Sequence, residues 1–66
     1  MDVRELDVVA LAADLPSDGL SAGDTGTVVH VFHKPYTAYE VEFTDSEGGT
    51  IAMVTLTADH FRLLGR

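Results

Sequence analysis

Three histidines, His30, His33 and His60, are the nitrogen ligands this sequence offers. His30 and His33 stand three apart on a segment whose composition predicts a strand. Side chains alternate between faces there, so the two point apart unless a bulge intervenes. A zinc site needs three or four converging ligands, and there is no cysteine to complete one. The expectation is a partly buried His30, two surface histidines and no metal. Nucleophilic chemistry has no better footing. Ser17, Ser21 and Ser46 lie in turn-rich stretches, where a hydroxyl serves local backbone bonds, and none sits on a strand-to-helix elbow. Gly19, Gly23 and Gly26 lack the spacing and the following lysine of a phosphate loop. Carboxylates could pair across a cleft, but a small barrel fills its interior with side chains. The residues therefore predict a protein that is not an enzyme and carries no cofactor.

Charge is the chemistry that remains. Eleven acidic residues against four basic ones give a formal charge of −7. Affinity for nucleic acid comes largely from Lys and Arg on phosphates, and Arg4, Lys34, Arg62 and Arg66 form no run. An acidic surface instead suits a protein partner with a basic surface, or self-association. The densest group is Glu40, Glu42, Asp45 and Glu47 on one predicted hairpin. It is either a solvated face whose charges guard a sheet edge or a docking face that speeds association with a basic partner. Apolar residues left over by the core, with Phe32 and Tyr36 as candidates beside Val29, would supply the binding energy.

The elements that must carry these residues are short strands. In residues 38–43 apolar and polar side chains alternate, with Tyr39, Val41 and Phe43 on one face and Glu40 and Glu42 on the other. The turn residues Asp45, Ser46, Glu47, Gly48 and Gly49 follow, then residues 50–56, rich in β-branched side chains. Together they predict a hairpin. Upstream, residues 23–32 read as a glycine turn entering a strand with apolar residues on both faces, Val29 and Val31 against Val28 and Phe32. Such a strand is buried on both sides or bends between sheets of a barrel. Pro35 bars residues 33–37 from a central ladder. Residues 6–11 suit a strand or a helix by period alone. Leu15 and Leu20 are expected to tuck the loop over 15–23 onto the core. Residues 57–61 predict one helical turn capped by Thr57, and residues 62–64 a last strand. One domain over residues 1–66 is all that this length allows.

The series Gly23, Gly26, Val28, Val31 followed by Tyr39, Val41, Phe43 resembles the glycine-turn-strand pattern of KOW-type and other SH3-like barrels. The wider string Asp7-Val8-Val9-x-Leu11, Asp14-Leu15-Pro16, Gly19-Leu20, residues 26–31 (GTVVHV) and residues 39–43 (YEVEF) resembles a family of short bacterial proteins known as a domain of unknown function. The ending Val54-Thr55-Leu56 with Phe61 and Leu63 is similar to the barrel of the nitrile hydratase small subunit. These resemblances imply an all-β fold, a small five-stranded SH3-like barrel with one helical turn before the last strand. They also turn residues 6–11 from helix to strand. They carry over no catalytic residue. The chain lacks the tryptophan of a proline-reading SH3 groove and the basic surface of a nucleic-acid-binding KOW module.

No apolar run approaches the about 20 residues that span a bilayer, and the N-terminus lacks a cationic, then apolar, leader. With an initial Met and a full set of strand signals, the expectation is a complete, cytoplasmic, bacterial gene product. Its expected role is a non-catalytic protein-interaction module, antitoxin-like or immunity-like. The alternatives are an accessory or assembly subunit of a larger enzyme and a KOW-like nucleic-acid-binding module, the last disfavoured by charge.

Overall fold

In the computed structural model, which describes residues 3–65, the alternating segment forms a strand with one dry face. This strand, β3 (Ala38–Thr44), buries Tyr39, Val41 and Phe43, the last two at 0% and 1% exposure, and leaves Glu40 and Glu42 half-buried on its outer side. A tight turn joins it to β4 (Thr50–Leu56). Asp45 builds that turn: its Oδ1 accepts the N–H of Glu47 and of Gly49, each at 2.9 Å. Gly48 completes it with a φ of 85°, a backbone setting that glycine adopts without steric cost.

Three further strands, β1 (Val8–Leu11), β2 (Thr25–Phe32) and β5 (Phe61–Gly65), complete one antiparallel sheet of order β4-β3-β2-β1-β5. Single 3-10 turns lie at Pro16–Asp18 and at Ala58–His60, directly before β5. The result is a small all-β domain of five antiparallel strands in one sheet, consistent with the expected SH3-like barrel. β2 serves both flanks: Thr25, Gly26 and Thr27 pair with β1, while its length from Gly26 to Phe32 pairs with β3. Val3, Val9, Leu11, Leu20, Val28, Tyr39, Val41, Phe43, Leu56 and Phe61 form the core. Tyr39 meets Phe61 edge-on at 5.4 Å between centroids, linking the hairpin to the last strand. Gly26 leaves no room for a side chain against β3. A Cβ there would stand 2.7 Å from Val41 Cγ1 and 2.9 Å from both Phe43 Cδ1 and the Glu42 carbonyl.

Four expectations are corrected. A register shift between Val28 and His30 puts Val28 and Val31 on the core side and His30 and Phe32 outside, where their rings meet edge-on at 4.5 Å. Val28 therefore does not share a face with Phe32. Bulging also brings His30 into the open, its side chain 52% exposed and 3.7 Å from Glu5, so it is not partly buried. The first strand begins only at Val8. Residues 4–7 are pinched into a turn by Arg4 N–H on Asp7 Oδ2 (2.8 Å) and Asp7 N–H on the Arg4 carbonyl (3.1 Å), with Leu6 at φ 72°. Asp7 is buried as a result. Thr57 precedes its 3-10 turn but caps no backbone N–H; its hydroxyl donates to the Asp59 carboxylate instead.

Leu20 is buried and Leu15 packs half-buried against the core. Reciprocal backbone bonds of 2.9 and 3.1 Å between them clamp the 3-10 turn of the long loop. Residues 1, 2 and 66, and with them the expectation about a leader and the charge of Arg66, lie outside the described residues. Among the described residues no helix is long and apolar enough to cross a membrane.

Candidate interaction surface

The outer face of β2, β3 and β4 gathers most of the singled-out residues. Cross-strand pairing sets them in rows: His30, Glu40 and Thr55 form one, and Phe32 with Ala38 the next. Thr27, Glu42 and Met53 form a third on the far side. Where β2 ends, the connector of Lys34, Pro35 and Tyr36 folds over the second row. Together with Phe32, Ala38 and Thr55 it lines an open groove of about 230 Å³. Phe32 and Tyr36 are its exposed aromatic residues, and Ala38, small and buried, contributes to its lining. Lys34 adds one positive charge.

The six residues singled out from the sequence thus divide between β2, β3 and the turns that follow each of them. Phe32 and Tyr36 come together in the groove. Glu40 lies on the same face, cross-strand from Thr55, which lines it. Glu42 is one row further, its Oε2 accepting the Thr50 hydroxyl at 2.7 Å. Asp45 is occupied by its own turn, and Glu47 stands exposed at the tip, away from the groove. Asp14 and Asp24 of the long loop likewise hold backbone, accepting the N–H of Ala22 (2.8 Å) and Ser21 (2.9 Å). A second cavity of about 180 Å³, between that loop and the β3–β4 end, is lined by Leu20, Asp24, Thr25, Phe43, Thr44 and Ile51 and holds none of the six.

Several contributors escaped the sequence reading. In the sequence Pro35 and Lys34 read as connection only, and Ile51 and Met53, half-exposed on β4, as part of a strand whose faces look alike. The alternation was present: Ala52, Val54 and Leu56 face inward and Ile51, Met53 and Thr55 outward. Both rows are largely apolar, so no polarity contrast marked the faces. Near β5, the Thr57 hydroxyl holds the fully exposed Asp59 below the usual carboxylate range, with the residue's own backbone N–H and then His60 adding to the effect. Among the described residues no group of three or more His, Cys, Asp or Glu side chains is placed to hold a metal.

Sheet order, bulged β2 and aromatic groove define a small all-β SH3-like domain with an acidic, partly apolar outer face. The chain matches, over residues 5–63, the model of the family described as Domain of unknown function (DUF4926), and it belongs to that family. No curated protein and no solved structure matches it.

Proposed function

We propose that the chain is a non-catalytic protein-interaction module of the bacterial cytoplasm, antitoxin-like or immunity-like, that docks on a protein partner with a basic surface. The observation that carries this reading is the convergence of Phe32 and Tyr36 in one open groove on the face that also bears Glu40 and Glu42. Aromatic anchors in a desolvated patch supply binding energy, while flanking carboxylates steer a cationic partner and set its orientation. Nucleic acid is not the partner in this reading, because a charge of −7 repels phosphate. A second reading, an accessory or assembly subunit of a larger enzyme, draws on the strand, 3-10 turn and strand of β4 to β5, the layout that resembles the nitrile hydratase small subunit.

The test is capture from the native organism with tagged wild type, Phe32→Ser and Tyr36→Ser chains at low and high salt. One partner retained by wild type, lost from both folded variants and weakened by salt is the expected outcome. Truncating an anchoring aromatic residue costs about 2 kcal/mol or more, roughly thirtyfold in affinity. Recovery of the wild type only as a free monomer at every salt concentration overturns the reading. A large enzyme subunit as the captured protein would favour the second one.

A further inference from the structure

We infer that the basic partner adds a strand to the free edge of β4, with Lys or Arg at alternate positions of that strand; this rests on the interaction-module reading and specifies its chemistry. β4 ends the sheet order. Among the described residues, the backbone of Thr50–Leu56 makes no bond outside the ladder with β3, so one side of the strand presents unpaired N–H and C=O groups. Proteins usually guard such an edge with lysine, proline, bulges or brevity. β4 has seven residues, TIAMVTL, with no charge and no proline. A register irregularity touches only its start, opposite Phe43 and Thr44, and residues 52–56 run uninterrupted. The opposite edge strand, β5, is shorter and carries Arg62.

Charge decides what fits this edge. Glu42 and Glu40 lie one strand inward, directly across from Met53 and Thr55. With strands about 4.8 Å apart, an outer-face side chain on an added strand starts about 10 Å from those carboxylates. Lysine or arginine can lie over Met53 or Thr55 and close that gap, and the attraction acts within about one Debye length. The inward side chains of the new strand would extend the row of Ala52, Val54 and Leu56. A second copy fits poorly. It would bring −7 against −7, and its own β4 offers no cation. Strand addition also leaves affinity in the main-chain bonds and selectivity in alternate side chains.

The probe is the acetylated peptide Lys-Val-Lys-Val-Lys-Val-Lys, titrated into the full chain and followed by NMR shifts and amide exchange. Two controls accompany it: the same peptide with alternate backbone nitrogens methylated, and one with glutamate in place of lysine. Exchange at outward-facing amides of residues 50–56 should slow at least tenfold. The methylated peptide should bind at least tenfold more weakly, and the glutamate peptide should not bind. Met53→Lys, a change at a half-exposed position that sets like charge against the incoming lysines, should weaken the lysine peptide at least tenfold while leaving the circular dichroism unchanged. Shifts confined to Phe32 and Tyr36, with β4 exchange unaltered, would overturn strand addition and leave the interaction module standing. Equal binding by the methylated peptide, or no binding of the lysine peptide at all, also overturns it, and the module is then judged by the capture experiment alone. A dimer whose β4 amides are protected without peptide would assign the edge to a second copy instead.

Discussion

Val41 touches both of its neighbouring strands, opposite Val28 on β2 and Val54 on β4, and is wholly enclosed. A carboxylate there would have no partner, and burying it costs several kcal/mol, comparable with the whole stability of a domain this small. Val41→Asp should therefore show no cooperative melting transition by circular dichroism; a folded variant would mean that the strand's inner and outer faces had been exchanged. Gly26 is constrained in the opposite sense, by lack of room. A methyl group added there meets Val41, Phe43 and a backbone carbonyl at once, and overpacking of this kind costs about 1–3 kcal/mol. Gly26→Ala should lower the midpoint of a denaturant melt accordingly. At the surface, Asp59 offers a pH test. Its carboxyl is held low by the Thr57 hydroxyl, so this contact favours the folded state above the ordinary carboxylate range. That contribution is lost as pH falls through the lowered folded value. Thr57→Val should move the Asp59 titration up toward the usual range, as read by NMR.

Among the elements, the β3–β4 hairpin owes its register to Asp45. Two backbone N–H groups depend on one carboxylate oxygen, and Asp45→Ala should cost about 1–2 kcal/mol, with hydrogen exchange quickening first in residues 45–50. This hairpin was the most legible part of the sequence, because in residues 38–43 the inward row is apolar and the outward row charged. Where that contrast fails, faces could not be read. β2 carries valines on both sides, and only its ladder with β3 reveals the irregularity that separates Val28 from His30. β4 is apolar on both sides too, so its exposed Met53 stayed hidden. The groove was half legible. Phe32 and Tyr36 stood out as surplus aromatic residues, but their meeting depends on how a connector folds back over three strand ends, which no local pattern encodes. Asp7 was missed because its burial follows from a four-residue turn with a positive φ at Leu6, a conformation that a leucine gives no warning of.

At the scale of the whole molecule, seven uncompensated negative charges press on a barrel with a small core. Self-repulsion of this kind weakens the compact state and is screened over about 8 Å at physiological ionic strength. Added sodium chloride should therefore raise the melting temperature. About 1 kcal/mol of relief corresponds to roughly 4–8 °C for a chain of this size, and a flat response would mean that the charges are already compensated by their spacing. The sheet order has a temporal meaning as well. β1 is bonded to β2 on one side and to β5 on the other, with Val8 opposite Gly65. During synthesis the first strand emerges long before its second partner exists, a wait of several seconds at ordinary rates of translation. The ribosome must reach β5 before the sheet can be completed, so β1 keeps one edge open until those residues emerge.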